Sequence, residues 1–84
     1  MGRRRAVSRP VKRSLTLAGH RTSVSLEEEF WRAFREIARD RGRPVAALAT
    51  EIDRARGLEV GLATAIRLFV LAEYRRRLGL DPNG

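Results

Sequence analysis

The sequence predicts a mainly α protein with one N-terminal β-strand, completed by pairing that strand with the same strand of a second copy. Three observations carry the prediction. Residues 21–26 alternate, with Thr22, Val24 and Leu26 on one side and Arg21, Ser23 and Ser25 on the other, as a half-buried strand does. At Leu26 the period changes to that of a helix, and three amphipathic stretches follow. The chain has 84 residues, and domains this small bury only about 60% of the surface their unfolded chain exposes, so a second copy is a natural way to complete the core. A lone strand also has free backbone N–H and C=O groups that invite another strand. Two copies pairing antiparallel would form a two-stranded intermolecular ribbon.

Each element has its own justification. Upstream of the strand, Leu15 and Leu17 alternate with Ser14 and Thr16, and Gly19-His20 separates this piece from the next. A Gly-X pair can form a type II′ hairpin turn, so residues 14–20 either pair within the chain or continue one interrupted ribbon. The first helix carries Phe30, Ala33, Phe34, Ile37 and Ala38 on its core stripe. Ser25 with Glu28 three residues on reads as a capping box, Glu27 to Glu29 suit the positive end of the helix dipole, and Gly42 reads as the stop. Pro44 reads as the first residue of a second helix, which carries Val45, Leu48, Ile52 and Ala55 and ends at Gly57. A third helix, longer than a minimal fold requires, carries Leu62, Ala65, Ile66, Phe69, Val70 and Tyr74, and closes with Arg75, Arg76 and Arg77 where cations are favourable. The expected division is a disordered basic arm over 1–13, the folded domain over 14–78 and a turn-like tail over 79–84.

The net charge of +8 is concentrated at one end. Residues 1–25 hold Arg3, Arg4, Arg5, Arg9, Lys12, Arg13 and Arg21 and no acid, while residues 26–84 hold eleven basic and ten acidic side chains. A basic arm on a balanced body is the electrostatic footprint of a polyanion binder; a solvated tail is the plainer reading of the same run.

Other classes find little support. There is no cysteine and a single histidine, His20, so neither disulfides nor a zinc site is expected, and no cofactor is implied. His20 reads as a turn residue. Catalysis is not expected: Glu27 to Glu29 sit at an exposed helix start rather than in a pocket, and no serine has a matching His and Asp set. No apolar run approaches the roughly 20 residues of a membrane span, and no apolar signal core follows the arginines, so the expected location is cytoplasmic.

The stretch RTSVSLEEEFWRAFREIARDRGRPVAALATEID resembles a ribbon-helix-helix domain, the class that includes the Arc and methionine repressors. RSLTLAGHRTSVSLEEEFW, with EID and AIRLFVL downstream, is similar to a group of short bacterial ribbon-helix-helix proteins, over residues 13 to about 77. The resemblance implies an obligate homodimer whose paired strands enter the major groove of double-stranded DNA, a transcriptional regulator in most cases. It places base readout at Arg21, Ser23 and Ser25, the same set that alternation turns to solvent. Arg21 is suited to guanine O6 and N7, whereas serine hydroxyls serve several bases. The family also anchors a phosphate at the start of its second helix. Here the chain departs from the pattern, because Pro44 has no N–H to offer and Arg43 would have to substitute with its side chain.

The expected phosphate contacts are then Arg3, Arg4, Arg5, Arg9, Lys12, Arg13 and Arg43, and the expected dimer core is Thr22, Val24, Leu26, Phe30, Phe34, Ile37, Leu48 and Ile52. Trp31, beside the core stripe, reads as packing in the dimer. Dimer symmetry predicts an inverted-repeat site. Two rival functions share this frame: an antitoxin-type or adaptor protein whose C-terminal helix, around Ile66 to Tyr74, binds a partner protein, and an architectural DNA binder without sequence preference.

Overall fold

The computed structural model describes residues 8–80. It contains two strands, β1 (Val11–Leu17) and β2 (His20–Leu26), and three helices, α1 (Glu28–Asp40), α2 (Val45–Ala55) and α3 (Leu62–Arg77). The first correction concerns the strands. β2 does not wait for a second copy: it pairs antiparallel with β1 of the same chain, from Val11 opposite Leu26 to Leu17 opposite His20. Residues 11–13, expected to belong to a disordered arm, are therefore strand. Arg3, Arg4 and Arg5 lie outside the described residues.

The turn also sits one residue earlier than expected. Ala18 and Gly19 are its two central residues, both at positive φ, +51° and +85°. Positive φ at both positions is the type I′ geometry, whose twist matches that of the flanking strands. Gly19 adopts it freely, whereas Ala18 pays for its Cβ in the left-handed region.

Hairpin pairing also explains why Ser25 is not the helix cap. Ser25 stands opposite Lys12 and Leu26 opposite Val11, so both are held extended in the ladder. The N-cap passes to Glu27, at φ −61° and ψ 151°, with no side-chain capping bond. α1 ends as expected around Gly42, whose φ is +65°. The N–H of Gly42 donates to the Arg39 carbonyl and that of Arg43 to the Ala38 carbonyl, both at 2.9 Å, which is a Schellman closure. Pro44 is the N-cap of α2 rather than its first helical residue, with φ −61° and ψ 146°.

β1 packs on α2, β2 on α3, and the helices pack on one another. The buried core is Leu15, Leu17, Val24 and Leu26 from the hairpin, Phe34, Ile37 and Ala38 from α1, Leu48 and Ala49 from α2, and Ile66 and Val70 from α3. Phe34 meets Phe69 edge to face, with centroids 6.1 Å apart, a preferred aromatic geometry. Of the residues expected to form a dimer core, Val24, Leu26, Phe34, Ile37 and Leu48 are buried within the single chain, and Phe30 and Ile52 are partly buried at its edge. Thr22 departs from that set. It shares the inner face but is exposed, bordering a crevice with Thr50, Asp53 and Arg54 near the hairpin turn.

A buried charge network ties α3 to the end of α1. The Glu73 carboxylate accepts from Arg41 at 2.8 Å, Arg76 at 2.7 Å and Arg77 at 2.9 Å, and Arg77 also reaches Asp40 at 3.2 Å. Burial pushes the Glu73 carboxyl up, but hydrogen bonds from Arg77, Arg76 and Arg41 outweigh it and hold the group at about 2. Among the described residues no helix is long and apolar enough to cross a membrane.

Candidate nucleic-acid interface

Residues opposite one another in a ladder point to the same face, so the register fixes which side chains share each side of the hairpin. Val24, Leu26, Leu15 and Leu17 turn inward with Arg13. The other face presents Lys12 opposite Ser25, Ser14 opposite Ser23 and Thr16 opposite Arg21, and all six are exposed. It is wholly polar: two cations, at opposite ends of the ribbon and on different strands, and four hydroxyls between them. Such a face can offer donors to base edges and charge to phosphates.

Arg21, Ser23 and Ser25 thus stand together as expected. Ser14 and Thr16, whose alternation with Leu15 and Leu17 is visible in the sequence, join them across the ladder. Lys12 extends the same alternation, but it stands among basic residues that read as part of the arm. Lys12 is on this outer face.

Arg13 is withdrawn from that face, contrary to its expected role as a phosphate contact. Its guanidinium bonds Glu28 at 2.8 Å and stands 5.5 Å from the centre of the Trp31 ring, while its Nε is buried without a hydrogen-bond partner. The hydrogen bond from Arg13 holds the Glu28 carboxyl below its ordinary value. Trp31, half-buried, packs at a tilt on Phe34, 6.4 Å between centroids. Below Ser25, Arg67 of α3 grips the strand-to-helix junction. It bonds both Glu27 oxygens, at 3.0 and 3.2 Å, and the Ser25 carbonyl at 3.3 Å. That first hydrogen bond lowers the Glu27 carboxyl, and the junction is thereby braced from α3.

A second basic feature lies where α1 meets the start of α2. Arg32, Arg35, Arg39 and Arg43 line a cleft of about 520 Å³ with Glu36 and Pro44. Arg43 bonds Glu51 at 2.7 Å and Arg32 bonds Glu28 at 3.3 Å, whereas Arg35 makes no ion pair among the described residues. Because Pro44 is the N-cap, its missing N–H is not one of the first helical donors. The Ala47 and Leu48 N–H groups both bond back to the Pro44 carbonyl, and those of Val45 and Ala46 stand ahead of them at the positive end of the helix. The sequence alone missed this clustering, because Arg32, Arg35 and Arg39 read there as the solvent face of α1, and Arg43, from the turn after it, joins them only in the folded chain. His20 begins β2 and is exposed. Arg9, also exposed, precedes β1.

A family model described as a ribbon-helix-helix domain matches residues 10–74. No curated protein and no solved structure matches the chain. The match covers most of the chain, both strands included, so the protein belongs to the ribbon-helix-helix family, whose members typically dimerise and bind DNA as regulators.

Proposed function

We propose that this ribbon-helix-helix protein is a cytoplasmic, sequence-specific DNA-binding regulator whose own hairpin, rather than a ribbon shared between two chains, enters the major groove. The single observation that carries the reading is the outer face of the hairpin, where Lys12, Ser14, Thr16, Arg21, Ser23 and Ser25 are all polar and exposed while the opposite face sends Leu15, Leu17, Val24 and Leu26 into the core. The groove is about 12 Å wide, which admits two strands spaced about 4.8 Å apart. Adding the strands of a second copy edge to edge would make a sheet of roughly 15–20 Å, too wide to enter. The hairpin supplies the ribbon by itself.

In this reading Arg21 donates two hydrogen bonds to a guanine and the four hydroxyls adapt to neighbouring bases, giving modest direct readout. Lys12 and the arm residues Arg3, Arg4, Arg5 and Arg9 add salt-sensitive phosphate contacts. Arg43 and its cleft neighbours Arg35 and Arg39 hold a phosphate beside the start of α2, with Val45 and Ala46 offering main-chain N–H groups. A homodimer presents two hairpins to an inverted repeat.

The test is selection of sheared genomic DNA by the purified protein at about 150 mM salt, where screening suppresses weak phosphate contacts, followed by sequencing of the retained fragments. Enriched inverted repeats are the expected result. Retention without a motif would replace the reading with architectural binding, and no retention would overturn it.

A further inference from the structure

The chain that leads into β1 is tied to the body before the strand begins. Ser8 is half-buried, and its hydroxyl donates to the Glu29 carboxylate at 2.9 Å. Arg13, further along, bonds Glu28 on the same turn of α1 at 2.8 Å. The base of the basic arm thus crosses the start of α1. Glu29 is also the rim of an apolar groove of about 270 Å³ between α1 and α3, walled by Phe30, Ala33, Val70, Leu71 and Tyr74. Leu71 is 54% exposed there, so the groove is apolar surface that residues 8–80 leave uncovered.

We infer that this groove takes the arm of its own chain. Ala6 and Val7, which lie outside the described residues, dock between α1 and α3, and Arg5 comes beside Glu36. Seven residues precede Ser8. The two next to it are apolar, and Arg5, Arg4 and Arg3 come before them. The reach fits this order. An extended chain covers up to about 3.5 Å per residue and a helix rises about 1.5 Å per residue. Ser8 to Ala6 then spans about 7 Å, and Glu29 to Ala33 along α1 about 6 Å. Ser8 to Arg5 spans about 10 Å, as does Glu29 to Glu36. The charges fit as well. Glu36, seven residues after Glu29, shares its side of α1, and it is half-buried with no ion pair among the described residues. The tether favours this occupant over a separate molecule, because a segment held at Ser8 meets the groove at an effective concentration on the order of millimolar. The dock stands on the folded chain alone and not on the function proposed above. Where the protein binds DNA, phosphates compete with Glu36 and the groove for the arm.

The experiment is nuclear magnetic resonance of the full isotope-labelled chain without DNA. Tyr74 is the only tyrosine, so contacts between its ring and the methyl groups of Ala6 and Val7 are readily assigned as cross-peaks. Those cross-peaks are the expected result. In Val7→Asp they should vanish, and trypsin should cut after Arg5 at least about tenfold faster, because the buried valine that holds the arm is gone. Wild-type protein without the cross-peaks would overturn the dock, whatever the variant does. So would an unchanged rate of cleavage in a folded Val7→Asp chain. Cross-peaks that arise only between labelled and unlabelled chains in a mixture would also overturn it, by giving the groove to the arm of another copy.

Discussion

The outer face of the hairpin and the outer face of α3 are both exposed, yet they are opposite in kind. The hairpin is a completed amphipathic layer: Leu15, Leu17, Val24 and Leu26 turn into the core, and every residue of the other face from Lys12 to Ser25 is polar. α3 is apolar towards solvent at Leu68 and Leu71, and it buries an ionised carboxylate, Glu73, on the other side. A single chain covers the leucines and Val24 of the hairpin, but it leaves Leu68 and Leu71 of α3 in solvent. The hairpin thus presents a hydrated, polar face to solvent, and α3 an apolar one.

The sharpest way to break the comparison is to invert one face of the hairpin. Val24 is almost fully buried among core leucines, and an aspartate there would be an unpaired charge whose burial costs several kcal/mol. Val24→Asp should therefore destabilise the protein by at least about 4 kcal/mol, a loss equal to the whole stability of a domain of this size at the low end of the usual range. Circular dichroism would show the loss, and a folded variant would contradict the register. Ser23→Asp, one position away on the other face, should leave the fold intact and abolish DNA retention through like-charge repulsion.

Glu73 tests the inner side of α3. Its carboxyl is held at about 2 from an ordinary 4.5. A depressed folded-state value means that the group stabilises the protein above pH 4.5, and that this contribution is lost as pH falls through 4.5 towards 2. The shift corresponds to roughly 3 kcal/mol, and the partly exposed arginines reduce that to about 2. Glu73→Gln should lose about that much at pH 7 in urea titrations, and the gap from wild type should narrow as the pH is lowered to about 2. A gap that does not change with pH would show that Glu73 acts by shape rather than charge.

Arg21 and Lys12 separate the two kinds of contact on the hairpin. Arg21→Ala should relax preference at one base position by about tenfold, within the 1–3 kcal/mol that a bidentate contact contributes, with the dimer intact by sedimentation. Lys12→Ala should weaken binding evenly across sequences and reduce the salt slope by about one unit. If the two variants behave alike, the face is electrostatic rather than a reader.

Much of this architecture is legible in the sequence because local physics decides it. The three helices follow from apolar spacing, and the stop at Gly42 from the need for a left-handed residue. β1 was only half legible, since Val11, Lys12 and Arg13 resemble a basic arm until Leu26 is seen to need Val11 opposite it. Ser25 misled for the same reason: a capping pattern is local, and a strand ladder that reaches Leu26 overrides it. Arg13 has the parity of Leu15 and Leu17 and Lys12 that of Ser14 and Thr16, but this sends one inward to Glu28 and Trp31 and the other out only once the strand is seen to begin at Val11. Glu73 was hidden as well, because its partners Arg41, Arg76 and Arg77 come together only when α3 docks beside the end of α1.

The smallest effect lies at the hairpin turn. Ala18 sits at φ +51°, where its Cβ crowds the following carbonyl, and the type I′ turn it forms with Gly19 favours asparagine at this position. Open space surrounds the neighbouring Gly19, with no atom within 4 Å of where a Cβ would lie, so the turn is shaped by its own backbone rather than by packing. Ala18→Asn should then stabilise the protein by about 1 kcal/mol, seen as a rise of several degrees in Tm, without altering DNA selection. The direction of that shift also bears on the ribbon. If β1 and β2 pair within each chain, easing the turn raises Tm independently of protein concentration. If the strands instead pair between copies and residues 18 and 19 are extended, asparagine brings no gain, because nothing at that position needs a positive φ.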